Sequence, residues 1–343
     1  MTAASSGAPG ADIQALRLLM TRMGLSPQDL LSDARPRTVP TFAEYIERVG
    51  DAISPGTRRA YDPYWRRVLA VWGDRRLDQP TALEIKQLAE RTKNAALVRG
   101  NSRGGRSAAE NMITALRCVY RHAVADGLIT DAANPAARVM KPRRLASTRR
   151  ALSDVQLGEV VAVASTTGND PALDALLLRL HTETACRRGG ALALRPVDLD
   201  RQQCLIQLRE KGETVRWQPV SPTLMRYLRE HADERGATED RAPLLRYRNG
   251  TPLTRRRYDY LWTRLGKHLA WVATQQVSMH WIRHTTLTWV ERNFGYAVAK
   301  AFAGHTGRGD AGTTATYVRA DLHEVARPVA ALTSEPHPLV GSA

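Results

Sequence analysis

Apolar residues recur at helical spacing through most of the first 140 residues, and the alternation typical of strands is almost absent there. Three segments separated by Gly, Pro and Asn predict helices over residues 57–72, 81–93 and 108–126. Thr41 is placed to cap the start of a further helix. This part of the chain is therefore predicted to be an all-helical domain of four or five helices that ends near residue 139.

The first 40 residues differ from that domain. Residues 1–12 are rich in Ala, Ser, Gly and Pro and are expected to be disordered. From Ile13 to Leu31, apolar residues recur at helical spacing on both sides of a Gly-Leu-Ser-Pro breaker, which predicts a short helical hairpin. We expect residues 1–40 to form an extension outside the main domains.

The chain after residue 150 combines helical periodicity with one region of strand-like alternation. Ser153 and Gln156 form a capping-box pattern that starts a helix. Residues 204–209 and 214–220 alternate as strands around a Lys-Gly turn and predict a hairpin, and residues 321–332 return to helical spacing. The expected fold class is mainly α, with a helical domain followed by a mixed, mostly helical domain that contains a small β-sheet or hairpin.

A basic segment that contains a proline separates these two parts. Residues 141–150 include five basic side chains and no acidic one. Such a segment is either a solvated connector or a strap that neutralises DNA phosphates, and the charge alone does not decide between them. The predicted organisation is an N-terminal extension (1–40), a helical domain (41–140), a linker (141–152), a second domain (153–320) and a C-terminal tail (321–343).

The composition adds a strong basic charge. Lys and Arg number 50 against 34 Asp and Glu, which gives a net charge of +16 and a sequence pI near 10.4. A pI above about 9 is typical of nucleic-acid-binding domains. Because 43% of the residues are hydrophobic, the charge is expected on a folded surface rather than on a disordered tail. A polyanion is the favoured class of partner.

The three cysteines, Cys118, Cys186 and Cys204, are far apart and lack CxxC spacing. They predict neither a disulfide framework nor a zinc site, and they fit a reducing cytoplasm. The N-terminus has no signal-peptide pattern, and no stretch approaches the roughly 18 apolar residues of a membrane span. The expected location is the cytoplasm, with no membrane partner.

Basic side chains cluster in three places. Each cluster alone is more often a solvated surface than a binding patch, but together with the net charge they favour nucleic acid. The candidate DNA contacts are Arg99, Arg103, Arg106, Lys141, Arg143, Arg144, Arg149, Arg150, Arg255, Arg256 and Arg257.

Two common catalytic motifs are absent: the sequence has no P-loop and no HExxH motif. Candidate chemistry lies instead in a scattered set of segments: TACRRGGALALRPVDLD at 184–200, EKG at 210–212, HWIRHT at 280–285, GH at 304–305 and TTATY at 313–317. In this order and spacing, the set resembles the tyrosine recombinase (phage integrase) family. The resemblance continues through residues 41–140, which look like the helical core-binding domain of that family.

The resemblance assigns six residues to the catalytic machinery. It implies that the tyrosine is the nucleophile, that the lysine protonates the leaving 5′-oxygen, and that the second histidine hydrogen-bonds the scissile phosphate. It implies no metal and no cofactor. The six residues are Arg187, Lys211, His280, Arg283, His305 and Tyr317.

These residue types suit attack on a phosphodiester. Negative charge gathers on the nonbridging oxygens during attack, and the planar guanidinium groups of Arg187 and Arg283 are well suited to bind it. His280 lies three residues before Arg283, which places both on one face of a helix. A tyrosine with an ordinary pKa near 10 needs positive potential and an acceptor such as His280 to lose its proton. A single residue of any of these types more often has a structural role than a catalytic one. The family is favoured because all six residue types occur together, in the order of the family pattern.

The sequence also departs from the family pattern. Ala185 and Cys186 stand where the family usually has a glycine and an apolar residue. Gly189–Gly190 falls where the family usually has polar residues, often an acidic one. The connection between His305 and Tyr317 is a few residues longer than usual. The support of the first arginine and the resting position of the tyrosine are therefore expected to differ.

Other side chains near the motifs are expected to be structural. Tyr258 and Tyr260 could rival the nucleophile, but neither follows the second histidine motif. Cys186 and His284 are expected to pack or to hydrogen-bond. Trp281 and the leucine-rich run at 176–180 are core candidates.

The resemblance implies a site-specific DNA recombinase. Two domains would form a C-shaped clamp on double-stranded DNA, and a homotetramer would assemble on two sites with inverted repeats. Strands would exchange through a 3′-phosphotyrosyl link and a Holliday junction, with an accessory directionality factor where one is required. The C-terminal tail would either exchange between subunits or cover its own core.

Several alternatives stay open. A mobile-element integrase is the first expectation, because the extension at 1–40 is one that a minimal chromosome-dimer resolvase would not need. A Xer-like resolvase of chromosome or plasmid dimers is the main alternative. A type IB topoisomerase would relax supercoils as a monomer, a non-catalytic DNA-binding module would form no covalent complex, and an RNA-binding protein would prefer RNA in competition.

Overall fold

Buried apolar side chains form separate cores in the two halves of the chain. The computed structural model describes residues 9–24, 26, 38–97, 104–143, 145, 149–210, 214–237, 239–304 and 321–341. The chain divides into two compact units, Met1–Leu145 and Ala146–Ala343. The division falls inside the basic segment 141–152. Among the described residues, no helix has both the length and the apolar content needed to cross a bilayer.

The N-terminal unit is helical. Its core is rich in aromatic side chains: Phe42 packs against Trp72 with a centroid distance of 5.6 Å and edge-on against Tyr120 at 6.1 Å. The hydroxyl of Tyr120 donates to the Leu77 carbonyl at 2.9 Å, so its buried polar tip is satisfied. The helices are α1 (Pro9–Met23), α2 (Phe42–Ala52), α3 (Pro55–Trp72), α4 (Ala82–Asn94) and α5 (Arg106–Ala125).

The predicted helices and caps are confirmed for the main part of this unit. Helices α3, α4 and α5 begin and end within two residues of the predicted positions. Thr41 caps α2: its hydroxyl accepts from the Glu44 amide at 3.3 Å, and the Glu44 carboxylate accepts from the Thr41 amide at 2.9 Å. Ser153 and Gln156 form the same reciprocal pair at the start of the first helix of the second unit.

The N-terminal extension differs from the prediction. Helix α1 begins at Pro9, so the expected disorder through residue 12 is wrong for residues 9–12. A proline in the first turn lacks only an amide that the helix would leave unpaired, and its fixed φ already suits the helix. The second half of the predicted helical hairpin lies outside the described residues.

The C-terminal unit surrounds a small sheet with helices. The two predicted strands are confirmed as β2 and β3, and the prediction missed the two-residue strand β1 because it is too short to show alternation. Short 3₁₀ turns occur at Asp131–Ala133 in the first unit and at Pro196–Asp198 in this one. The elements are α6 (Asp154–Thr166), α7 (Pro171–Thr184), α8 (Arg188–Leu192), β1 (Leu199–Asp200), β2 (Leu205–Glu210), β3 (Thr214–Pro219), α9 (Pro222–Glu234), α10 (Arg255–His268), α11 (Ala270–Gln275), α12 (Met279–Phe302) and α13 (Leu322–Thr333).

All strand pairs are antiparallel, in the order β1-β2-β3. In the β2–β3 hairpin, Leu205 pairs with Pro219 and Glu210 pairs with Thr214. Glu210 is therefore the last paired residue of β2. Its side chain points inward with Ile206 and Leu208, since all three alternate residues are buried.

The C-terminal tail covers its own unit. Val325 and Val329 of α13 pack with Val290 and Phe302 of α12, which is interrupted at Gly295. Just beyond α13, the Glu335 carboxylate accepts from the Arg179 guanidinium at 2.6 Å. Within one chain the tail therefore packs on its own unit, and its exchange between subunits stays a prediction.

His181, at the end of α7, is completely buried. Its Nδ1 lies 3.0 Å from the Cys186 carbonyl oxygen, and its Nε2 lies 3.0 Å from the Tyr258 hydroxyl. Because a carbonyl only accepts, Nδ1 carries the proton and Nε2 accepts from the tyrosine. Burial lowers the pKa of His181 to about 4.

We expect His181 to make the stability of this unit acid-sensitive. The folded-state pKa, about 4, lies below the unfolded value of about 6.5, so the unfolded chain binds a proton that the folded chain excludes. Stability is lost as pH falls from about 6.5 to about 4, by up to about 3 kcal/mol. Urea unfolding between pH 7 and 4.5 measures this, and His181→Gln should flatten the pH dependence by at most about 1.4 kcal/mol per pH unit. Equal slopes for the two proteins would contradict the assignment.

Candidate active site

Arg187 follows a tight backbone reversal at the end of α7. Ala185 caps that helix in the left-handed region, with φ 47° and ψ 25°. This conformation favours glycine, because it brings Cβ close to the following carbonyl. It accounts for the glycine that the tyrosine recombinase pattern usually has here. The reversal buries Cys186 and leaves Arg187 as the N-cap residue immediately before α8.

A buried carboxylate holds Arg187. Oε1 of Glu210 accepts from the Arg187 backbone amide at 2.7 Å, and Oε2 accepts from Nη1 of the same residue at 2.7 Å. The Glu210 side chain is 0% exposed, whereas that of Arg187 is 39% exposed. Among the described residues, Nε and Nη2 of Arg187 have no hydrogen-bond partner. One edge of the guanidinium is thus fixed by the buried Glu210 carboxylate. The other edge is available to an anion from solvent.

Arg283, on α12, ties three chain segments together. Its Nη2 donates to the Ala303 carbonyl at 2.8 Å, and its Nη1 donates to the Ala185 carbonyl. Nη1 also lies 4.0 Å from Oε1 of Glu210. Burial lowers the pKa of Arg283 to about 10, and the charge of Arg187 adds to this effect. The two predicted arginines therefore converge on one carboxylate.

Arg216, on β3, is a third arginine beside the same carboxylate. Its Nε lies 3.9 Å from Oε2 of Glu210, and burial lowers its pKa. Its guanidinium packs against Gly304, which has φ +65° and whose Cβ, if present, would lie 2.5 Å from Nε. The glycine of the GH pair is therefore required by both its conformation and its neighbour.

His280 is exposed at the start of α12, three residues before Arg283. Partial desolvation lowers its pKa, and the positive charges of Arg149, Arg283 and Arg187 add to the effect, together with His284. The imidazole is consequently neutral at pH 7 and able to accept a proton.

Three of the six predicted catalytic residues, Lys211, His305 and Tyr317, lie outside the described residues. Described neighbours of two of them lie at the site, since Glu210 precedes the lysine and Gly304 precedes the second histidine. The assignments of all three stay predictions.

The alternative reactive groups have structural roles in the described residues. Tyr258 is fully buried and bonded to His181, and burial raises its pKa, so it is not available as a nucleophile. Tyr260 lies beneath the guanidinium groups of Arg257 and Arg264. Burial raises the pKa of Cys186 to about 11, which keeps the thiol protonated.

His284 lies with Nδ1 2.9 Å from the Thr288 hydroxyl. No three His, Cys, Asp or Glu side chains among the described residues are grouped closely enough to hold a metal ion.

Sequence reasoning missed the roles of Glu210 and Arg216. The available signal was the alternation of β2, which places a charged residue on the same face as Ile206 and Leu208. A carboxylate at an inward strand position requires a cationic partner. The sequence does not show which arginine would reach it.

The structure groups some of the candidate DNA contacts. Arg106 and Arg143 line one cavity of about 280 Å³ in the N-terminal unit. Lys141 lines another of about 460 Å³ with Arg117 and Arg121, which the prediction had not included. Arg149, Arg150, Arg255 and Arg256 are exposed, and Arg99, Arg103 and Arg144 lie outside the described residues.

The prediction that Arg257 contacts DNA is wrong. Its side chain is 3% exposed, and its Nε donates to Oδ1 of Asp174 at 2.7 Å. The remaining donors bind the Asn169 side chain at 2.7 Å and the Asp170 carbonyl at 3.0 Å. A run of three arginines at the start of α10 therefore presents two to solvent and turns the third into the core.

Comparison with known proteins agrees with this geometry. Residues 151–324 match the sequence model of the phage integrase family. This is just over half of the chain, and the chain therefore belongs to the phage integrase family of tyrosine recombinases, enzymes that cut and rejoin DNA.

Among its relatives is tyrosine recombinase XerC of Pelobacter propionicus, 26% identical over 274 residues, which cover 79% of this chain and 86% of the relative. Tyrosine recombinase XerD of Lacticaseibacillus casei is 26% identical over 212 residues, which cover 60% of this chain and 70% of the relative.

Solved structures share the fold. A lambda integrase tetramer bound to a Holliday junction matches with a TM-score of 0.60 at 15% identity, covering 87% of each chain. The Tn1549 transposon integrase bound to circular intermediate DNA matches with a TM-score of 0.62 at 17% identity, covering 82% of this chain and 95% of that one.

Neighbouring arginines of α10 provide a test of the corrected assignment. We expect Arg257→Ala to lower the free energy of unfolding by about 3 kcal/mol, because it leaves the buried Asp174 carboxylate with only Arg264. Arg256→Ala, at an exposed position, should change it by less than about 0.5 kcal/mol. Urea unfolding measures both. At a temperature where both variants are folded, a DNA affinity reduced by Arg257→Ala but not by Arg256→Ala would contradict the correction.

Proposed function

We propose that this protein is a site-specific recombinase in which Arg187 and Arg283 bind the scissile phosphate and Tyr317 attacks it. The observation that carries the proposal is the convergence of the two arginines on one buried carboxylate. Arg187 is held from beneath and keeps a partly exposed edge toward solvent, where a phosphate can bind to a fixed guanidinium. A preorganised cation needs no rearrangement as charge develops on the phosphate oxygens.

The proton transfers follow from the residue types. The Tyr317 hydroxyl loses its proton to neutral His280, and the tyrosine oxygen forms a bond to phosphorus. The bond from phosphorus to the 5′-oxygen breaks, and Lys211 supplies the proton that the leaving oxygen takes. His305 would hydrogen-bond a phosphate oxygen. The resulting 3′-phosphotyrosyl link conserves the bond energy, so the 5′-hydroxyl of a partner strand can reverse the step and produce a Holliday junction.

The proposed partner is double-stranded DNA with inverted-repeat sites. The assembly is a homotetramer on two such sites, like the one in which lambda integrase is bound to a Holliday junction. The exposed basic residues of both units would bind phosphates and hold the duplex without reading its sequence. Such an enzyme acts on DNA in the cytoplasm, on the nucleoid. If its reaction runs in one direction only, an accessory directionality factor takes part.

Integration or excision of a mobile element is the proposed biological role. A Xer-like role in resolving chromosome or plasmid dimers is the second candidate, favoured by the XerC and XerD relatives. The recognised DNA distinguishes them. Inverted repeats at the junction of an inserted element support the first role, and a single chromosomal or plasmid site supports the second.

Covalent trapping tests the nucleophile. Wild type and Tyr317→Phe are incubated with sheared, nicked genomic DNA from the source cell, and DNA that stays attached after denaturation is sequenced. Only wild type should retain DNA, because phenylalanine has no oxygen to bond to phosphorus. Tyr260→Phe is the matched control and should trap as wild type does. Equal trapping by Tyr317→Phe would show that another residue attacks.

The pH profile of cleavage tests the role of His280. Because the pKa of His280 is lowered, the acid limb of single-turnover cleavage should lie below the ordinary histidine value of about 6.5. Arg149→Ala removes a nearby positive charge, so it should raise that pKa and shift the acid limb to higher pH. Arg150→Ala, the exposed neighbour, is the control. If the acid limb shifts equally in both variants, or in neither, the charge of Arg149 does not control the pKa of the catalytic base.

A further inference from the structure

Glu210 is the one acidic side chain that contacts all three arginines of the site among the described residues. It belongs to neither the six residues of the family pattern nor the basic surface. We propose that Glu210 is the positioning residue for the phosphate-binding arginines, and that its carboxylate, reaching from the end of β2, fills the space that a side chain at position 190 of α8 would occupy. This inference rests on the proposed function of Arg187 and Arg283.

The contacts come from three separate elements. Arg187 is the N-cap of α8, Arg216 lies on β3, and Arg283 lies on α12. Their nearest nitrogen atoms lie 2.7, 3.9 and 4.0 Å from the oxygens of one carboxylate. The carboxylate also accepts the backbone amide of Arg187 at 2.7 Å. A single side chain therefore fixes both the guanidinium and the backbone of the first arginine.

Charge balance requires this carboxylate. Three guanidinium groups near one point repel one another, and burial lowers the pKa of both Arg216 and Arg283. Glu210 opposes this effect on both. One negative charge against three positive charges still leaves the site cationic, as a phosphate requires. Because Glu210 is 0% exposed, it lies behind the arginines and does not occupy the solvent side.

The neighbouring helix explains why the carboxylate comes from the strand. Gly190 is buried in α8 with no side chain, and a Cβ built there would lie 3.1 Å from Cγ of Glu210 and 3.5 Å from its Oε1. Glu210 thus fills the space that a side chain at position 190 would occupy. The φ of Gly190 is not positive, so its backbone would accept another residue. The strand therefore supplies the charge beside a helix position that has no side chain.

The position of Glu210 beside Gly190 predicts that a carboxylate placed at position 190 restores the cleavage lost when Glu210 is removed. Glu210→Ala should reduce single-turnover cleavage about 100-fold, since small displacements of positioning groups have effects of that size. The substrate is a nicked duplex carrying the trapped sequence. Equilibrium binding of the intact duplex should change less than threefold, because other basic residues dominate affinity. Adding Gly190→Glu should restore cleavage at least tenfold, since the carboxylate oxygens of a glutamate lie about 3.5 Å from its Cβ, the distance observed here.

Controls separate positioning from folding. Glu210→Gln keeps an amide oxygen for the Arg187 backbone but removes the charge, and its loss should fall between wild type and Glu210→Ala. Glu230→Ala removes an exposed carboxylate paired with Arg226 and should cleave as wild type does. All rates are compared well below the thermal midpoint of each variant. A folded Glu210→Ala protein that cleaves as fast as wild type or faster, or a double variant without rescue, would overturn the proposal.

A second measurement does not depend on cleavage. Inorganic phosphate should raise the thermal midpoint of wild type. The part of this increase that is lost in Arg187→Ala comes from phosphate bound at this site. Glu210→Ala should lose the same part of the shift, and the double variant should regain it. If wild type traps no DNA but this pattern holds, the proposed function fails while the positioning role stands. Undiminished phosphate binding by Glu210→Ala would overturn the positioning role.

Discussion

The interaction on which the active site depends is the burial of one carboxylate beneath two arginines. Removing a carboxylate from water is expensive, and the cost is offset only where charged hydrogen bonds replace those of water. Glu210 has two such bonds at 2.7 Å, both from Arg187. Since one of them comes from the backbone, the position of the chain and the position of its guanidinium are set together.

The backbone around this carboxylate is shaped by two left-handed residues. Ala185 follows α7 and Gly304 follows α12, and each has a positive φ. Arg283 lies between these residues and donates to the carbonyls of Ala185 and Ala303. Carbonyls at helix ends lack partners within the helix, so one arginine both satisfies them and fixes the distance between the two segments that lead to Arg187 and His305.

Local sequence rules were sufficient for helices α3 to α5, for two caps and for the strands β2 and β3, because each depends on residues close together in the chain. The capping pairs at Thr41 and Ser153 span three residues. The burial of Arg257 could not be predicted in this way, since its partner Asp174 is 83 residues away in the sequence and no local pattern links the two residues. The role of Glu210 was hidden for the same reason: β2 alternation indicates that it is buried, but only the tertiary fold shows which arginines approach it.

The distribution of arginines clarifies what the net charge of +16 means. Five acidic side chains are buried among the described residues, and each is bound by at least one arginine: Asp170, Asp174, Glu183, Asp198 and Glu210. The interior thus removes acidic groups from the surface, but it also occupies arginines that the sequence alone would count toward DNA binding. Arg257 and Arg187 illustrate the two outcomes. Arg257 is buried together with its carboxylate partner and only stabilises the core. Arg187 is bound by a carboxylate on one edge and is partly exposed, so it can bind a phosphate.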